Sequence, residues 1–482
     1  MWGKSVSFWL EREFAMVSDK AISRLQAIVG RERVLTSLEE RTVYAYDGTW
    51  AQYLPDVVVS PHSTEEVAEI LRLANELRIP VVPRGAGTGL SGGSVPVEGG
   101  ICLNLVRMNR ILEISPEDMV AVVQPGVVNG ALQKAVEERG LFYPPDPASM
   151  NQSTIGGNIA ENAGGPRCLK YGVTRDYVMA LEVVLPTGEI LRTGSRALKN
   201  VTGFNLVGIF VGSEGLLGVV TEATLRLIPK PAVTLSAMAS YPKLEGASET
   251  MGAILRRGII PCALELMDAA TIHCVEEHAH LGLPQDVEAV LLISQDGPDH
   301  EVVLRQMEII ADACQESGAR NVEVAATPEE HEALWSARRA VSPSLARMRP
   351  NKLGEDISVP PSKVTQALRE LRRISERYQL PIPVFGHIGD GNLHPNILCD
   401  RRNPDEMRRV NEAAKEIFQM AVSLGGALSG EHGIGLSKRD FLPLDLTPES
   451  IALQKRIKEL FDPNGILNPG KVFPTELSAP SS

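Results

Sequence analysis

A strand that runs into PVVPRGAGTGLSGGSVP, Pro80 to Pro96, leads to a loop that cannot continue as a helix. The stretch Gly87-Thr88-Gly89-Leu90-Ser91-Gly92 spells G-x-G-x-x-G, but the dinucleotide fingerprint needs its third glycine to open a helix. Here GSVPVEGG follows instead, with Pro96 and two more glycines where that helix would run. A Rossmann reading is therefore excluded. What remains is a glycine-dense loop whose successive backbone N–H groups can converge on an anion, with Arg84 beside them. A pyrophosphate is the natural guest, and a glycine-rich surface turn is the alternative. A second loop of the same kind, YPPDPASMNQSTIGGNIAENAGG, is also proline- and glycine-rich and nearly uncharged. Two such segments in one domain imply two walls of a buried cofactor.

At 482 residues the chain exceeds what one core sustains, so at least two domains are expected. DVVVSPHSTEEVAEILRLANELRIPVVPRG reads as strand, helix, strand, with Ser63 and Glu66 in capping-box spacing. MVAVVQPGVVNGALQKAVEERGLFYPP adds a second unit, with Asn129 as helix cap and Gly140 as helix stop. YVMALEVVLPTGEILRTG reads as a hairpin turning at Thr187-Gly188. Beyond residue 232 come three rounds of strand, amphipathic helix and strand, which suit an antiparallel sheet covered by helices. The fold class is α+β. The expected division is an N-terminal helical segment (1–54), a cofactor domain (55–231), a cap domain (232–440) and a C-terminal segment (441–482) that returns to the cofactor domain.

In GHIGDGNLHPNIL, Gly386 to Leu398, Asp390-Gly391 signals a two-residue hairpin turn. That register pairs Gly389 with Asn392, Ile388 with Leu393 and His387 with His394. The two imidazoles would then be direct cross-strand neighbours with β-carbons roughly 5 Å apart on one face. Two such rings can share a metal ion; half-buried histidines with ordinary hydrogen bonds are the other reading.

The motifs PRGAGTGLSGG, PDPASMNQSTIGGNIAENAGG, TGFNLVGIFVGSEGLLGVVTEATLRL, GHIGDGNLHP, SGEHGIG and FDPNGILNPGKVF, in this order, resemble the FAD-linked 2-hydroxy-acid dehydrogenases of the vanillyl-alcohol-oxidase type. Within that family the likeness is to flavoprotein subunits of bacterial glycolate oxidase and to D-lactate dehydrogenases. The resemblance implies an FAD-binding domain of the PCMH type, a cap domain, and oxidation of a small 2-hydroxy acid such as glycolate or D-lactate. It makes Arg84, Gly85, Ala86, Gly87, Thr88, Gly89 and Gly92 the diphosphate cradle. Pro145, Ser153, Gly156, Gly157 and Asn158 match a second flavin-contacting stretch. Glu214, Gly215, Gly218 and Val220 match the part along the adenosine half, and Asn468 lies in the loop that approaches the flavin ring. Some relatives hold flavin covalently through a histidine in the first glycine loop; none stands there, so FAD is expected to be non-covalent. The resemblance also makes His387, His394 and Glu431 ligands of a divalent cation (zinc, manganese or iron), with His432 as general base. In LWSARRAVS only one of Arg338 and Arg339 can face a site on a helix; the family match favours Arg338 as the substrate-carboxylate contact, against a solvated basic face.

A net charge of -12 and the lack of a basic stripe argue against nucleic acid. The most apolar stretch, VTGFNLVGIFVGSEGLLGVV, contains Glu214, Asn205 and five glycines and reads as loop, helix and strand rather than a membrane span. MWGKSVSFWLEREF is too short in its apolar run for a signal peptide, so a cytoplasmic location is expected, peripheral to a membrane through a partner. The six cysteines show no cluster spacing. This chain is therefore expected to hold no iron–sulfur cluster; the resemblance to glycolate oxidase flavoproteins implies a separate iron–sulfur subunit as electron acceptor, and that to D-lactate dehydrogenases an electron-transferring flavoprotein as the other candidate. A metallohydrolase using the His/His/Glu set is the competing function, and it leaves the glycine loops unexplained.

Overall fold

The computed structural model describes residues 14–325 and 327–475. The reading of MWGKSVSFWLEREF falls almost wholly on residues 1–13, outside the described residues. The chain divides into two compact units: Met1–Ala163, Val173–Pro229 and Glu431–Ser482 form the first, and Gly164–Gly172 and Lys230–Gly430 the second.

In the first unit the strand Val57–Val59, the helix Thr64–Leu77 and the strand Val81–Arg84 follow one another as the sequence implies. The strand Ile101–Asn104 inserts between those two strands and runs parallel to both. Apart from Arg84 and Asn104 at their ends, all three are apolar, because a parallel sheet is covered on both faces. Ser63 accepts the Glu66 N–H at 3.3 Å, but only half of the expected capping box forms. The Glu66 carboxylate turns instead to the His62 N–H at 2.7 Å and to Arg33. The free edge at Val81 is closed by the C-terminal loop: Val81 N–H donates to Ile466 O, and Asn468 N–H to Val81 O. A second sheet, antiparallel, has the strand order Ile111–Ser115, Val120–Val123, Val219–Arg226, Val178–Val184, Ile190–Gly194. Its last pair is the hairpin expected at Thr187-Gly188, with Gly188 at φ 81°. Asn129 is not a cap: Val128 holds that position, and the buried Asn129 amide donates to Pro145 O at 3.0 Å.

The second unit carries one antiparallel sheet ordered Asn321–Val324, Val233–Tyr241, Ala289–Gly297, Ala263–Asp268, Val384–His387, Asn392–Cys399, Asn351–Gly354. All three rounds of strand, helix and strand are present. On one face Val290, Leu292, Met267 and Phe385 pack with Ile272 and Val275 of the helix Ala269–Ala279 and with Ala337 and Val341 of Pro328–Met348. The alternate positions Leu291, Ile293 and Tyr241 are equally buried, and Tyr241 Oη meets Thr250 Oγ1 of the helix Leu244–Arg256 at 2.7 Å. Both faces are therefore covered, which is why AVLLIS in Ala289–Gly297 is a continuous apolar run rather than an alternating one. Gly164–Gly172 joins this unit through Asp296, which accepts Tyr171 Oη at 2.8 Å and pairs with Lys170.

Candidate functional site

The histidine hairpin forms with a different register from the expected one. His387 pairs with Asn392, and His394 lies opposite Phe385. The connection is the four residues 388–391 rather than Asp390-Gly391 alone, because the chain needs positive φ only at Gly391 (83°). There a β-carbon would lie 1.9 Å from Val359 O. The offset from the expected pairing is two residues, and since side chains alternate with period two, the histidines still share a face. Their rings are 5.2 Å apart and nearly perpendicular.

In the neighbouring strand of the same sheet, Ala263–Asp268, Glu265 stands directly opposite His387. Glu265 is fully buried. One carboxylate oxygen contacts His387 Nδ1, and the other accepts Arg338 Nε at 2.6 Å. Burial pushes this carboxyl upward, but the charges and hydrogen bonds of His387 and Arg338 outweigh it and hold it at about 2. With Nδ1 engaged, Nε2 is the His387 nitrogen that would face a cation. Arg338 lies over the Phe385 ring, its guanidinium carbon 4.6 Å from the centroid. Arg339, a helical neighbour, is exposed and pairs with Glu332. Arg338 is therefore the inward arginine of the two.

Asp356, also fully buried, accepts Asn392 Nδ2 at 2.6 Å, Ser429 Oγ at 2.6 Å and Gly430 N–H at 2.9 Å. It ties the hairpin to the end of the second unit. Glu431 and His432 follow Gly430 directly in the chain and begin the last segment of the first unit. Their side chains lie on the same side of a bend, His432 Nε2 3.8 Å from Glu431 Oε1, with Gly433 at φ 82°.

In the first unit the loop after Arg84 has the form of a cradle. The backbone N–H groups of residues 85–89 take no hydrogen bond among the described residues. A β-carbon at Gly85 would lie 2.3 Å from Thr154 Oγ1, and one at Gly87 2.2 Å from Arg84 Nη2. Glycine is thus what lets the second loop and the Arg84 guanidinium close on this backbone. The Ser153 hydroxyl is buried with no partner among the described residues. Free amides, one arginine and an unpaired hydroxyl fit an anionic, hydrogen-bonding cofactor such as FAD.

Other residues of the expected set hold the cradle together. Asn468, at φ 46°, donates to Gly93 O at 2.9 Å and Glu214 O at 2.8 Å. Glu214, at φ 49°, accepts the N–H groups of Ile434 and Gly435 at 2.8 and 2.6 Å. Burial raises the Glu214 pKa although these donors oppose it. Gly215, at φ 70°, lies against Pro83 and Asn468. Gly156 and Gly218 are packing positions: β-carbons there would meet Pro125 at 2.6 Å and Val183 at 2.4 Å. Gly157 lies beside Thr154, the N-cap of Ile155–Glu161. Asn158 donates to Asn129 at 3.1 Å, Pro145 O accepts from Asn129 and Gln133, and Val220 pairs with Val183 in the sheet. Sequence reasoning missed Glu265 and Asp356. A glutamate inside the apolar run CALELM was the available signal for the first.

Residues 55–194 match the family described as FAD binding domain, and residues 230–472 that described as FAD linked oxidases, C-terminal domain. The glycolate oxidase subunit GlcD of Bacillus subtilis is 48% identical over 459 residues, 95% of this chain and 97% of the relative. A D-lactate dehydrogenase of Anaerostipes hadrus is 36% identical over 471 residues, 96% and 99% of the two chains. Among solved structures, p-cresol methylhydroxylase with substrate bound aligns with a TM-score of 0.79 at 20% identity, over 94% of this chain and 96% of that one. The fold is the α+β, PCMH-type FAD-binding fold. The chain belongs to the FAD-linked oxidases and is an FAD-linked oxidoreductase. No helix among the described residues is long and apolar enough to cross a membrane.

Proposed function

We propose that the chain oxidises a small 2-hydroxy acid, glycolate or D-lactate, to the 2-oxo acid. The observation that carries this reading is the likeness, over nearly its whole length, to a glycolate oxidase subunit, joined to a buried pair of histidines beside an inward arginine. FAD, when bound, supplies the acceptor for the hydride from the α-carbon, and a divalent cation, when bound, lowers the pKa of the substrate hydroxyl. His387 and His394, with Glu431, hold that cation. Arg338 binds the substrate carboxylate with the terminal nitrogens that Glu265 leaves unused, fixing the α-carbon. His432 accepts the hydroxyl proton as general base. Arg84, residues 85–89 and Ser153 hold the diphosphate and neighbouring parts of FAD.

Electrons then pass to a separate acceptor, which we take to be an iron–sulfur subunit. The likeness to a chain named as a glycolate oxidase subunit supports a partner, and the six cysteines, Cys102, Cys168, Cys262, Cys274, Cys314 and Cys399, offer no cluster spacing for carrying the electrons within this chain. A dye-linked assay of the purified holoenzyme against D- and L-2-hydroxy acids, with and without chelator, tests the reading. Turnover of glycolate or D-lactate that chelation removes while FAD stays bound supports it. Chelator-insensitive turnover removes the cation role, and hydrolysis without flavin reduction revives a metallohydrolase.

A further inference from the structure

We propose that Glu265 is a positioning residue that couples the cation-holding histidine to the substrate-binding arginine. This inference rests on the reading of the preceding section. Glu265 stands in a central strand with no exposed surface, and the directly opposing residue of the next strand is His387. An unpaired carboxylate here would be prohibitively costly, so the position demands two donors. It has them: one oxygen on His387 Nδ1 and the other on Arg338 Nε. The first contact fixes the ring rotation and tautomer that direct Nε2 to a cation. The second holds the guanidinium by Nε, with its central carbon 4.6 Å from the Phe385 centroid and its terminal nitrogens making no hydrogen bond among the described residues. Because Phe385 also lies opposite His394, with rings 5.3 Å apart, the same arginine packs against the support of the second histidine. One carboxylate thus sets the bearing of both the metal and the anion contacts, and a change at Glu265 disturbs two contacts made by different side chains, His387 and Arg338.

The test is Glu265→Gln in the FAD-loaded enzyme, with Glu265→Asp as the second variant. Four quantities are read: Mn2+ affinity of the metal-depleted holoenzyme by electron paramagnetic resonance, KM and kcat for whichever of glycolate and D-lactate reduces the wild-type flavin, and FAD content. Glu265→Gln keeps shape but offers an amide where two donors require two acceptors. It should weaken Mn2+ binding about 10- to 100-fold and raise KM about tenfold, with FAD content unchanged. Glu265→Asp keeps the charge but is too short to reach both partners. It should retain FAD and lose at least one of the two affinities, so the inference stays testable if the glutamine variant does not fold. Either variant retaining both affinities within about twofold overturns the coupling. Wild-type enzyme that binds no Mn2+, or whose flavin no hydroxy acid reduces, refutes the underlying function instead.

Discussion

Arg338→Ala, set against Arg339→Ala, tests which of the two arginines binds the substrate. The guanidinium is mostly buried, its side chain 13% exposed, and it donates to a carboxylate with 0% exposure. If it also holds the substrate carboxylate, its loss removes a charge-assisted hydrogen bond worth about 1.5–3 kcal/mol, a fall in kcat/KM of about 10- to 150-fold. The fall should appear mainly in KM, because binding an unreacting carboxylate is uniform between ground and transition states. Removing Arg338 also leaves Glu265 with His387 alone, so a stability loss approaching about 3 kcal/mol is expected from the broken buried pair. Kinetics must therefore be measured well below the melting temperature, with urea unfolding run in parallel. Arg339→Ala is the control. Its side chain is 54% exposed and its partner Glu332 70% exposed, so both kcat/KM and stability should stay near wild type. A larger kinetic loss in Arg339→Ala than in Arg338→Ala would refute the assignment.

Gly391→Ala should destabilise the protein by at least about 2 kcal/mol, since the new methyl meets a backbone carbonyl and φ stays positive; a urea midpoint within error of wild type contradicts the hairpin geometry. Glu161 gives a pH prediction. Burial, then the neighbouring Glu214 and Asp47 charges, raise its pKa well above the usual 4.5. One of its oxygens has no partner among the described residues. A raised folded pKa means stability that is present below pH 4.5 and is lost as pH rises through the folded value. Glu161→Gln should therefore raise the melting temperature more at pH 8 than at pH 5, and an equal shift at both would show that this carboxyl does not titrate between them.

Much of this architecture is written locally. The three rounds of strand, helix and strand after residue 232 follow from apolar runs and amphipathic helices, and Pro96 with its flanking glycines rules out a helix after the cradle loop. The features that sequence misplaced depend on long-range partners. Asp390-Gly391 reads as a two-residue turn, but Val359 O closes on Gly391 and Asp356 holds Asn392, and these contacts set the register two residues away. Asn129 looks like a cap until Pro145 and Asn158 claim its side chain. Glu66 leaves its capping box for Arg33 because an arginine from 33 residues upstream is a better partner than one amide. His387 and Arg338 were legible as candidates, whereas Glu265, which joins them, was not, because its meaning lies in a strand pairing 122 residues apart.

The most direct test of the central claim is an anaerobic stopped-flow mixing of metal-loaded, FAD-loaded enzyme with glycolate or D-lactate, followed by visible flavin absorption. Complete bleaching is expected, slowed when the α-hydrogen is deuterium and abolished by prior removal of the cation with FAD still bound. Flavin that stays oxidised with every 2-hydroxy acid tried, in enzyme shown to hold both FAD and metal, would contradict it.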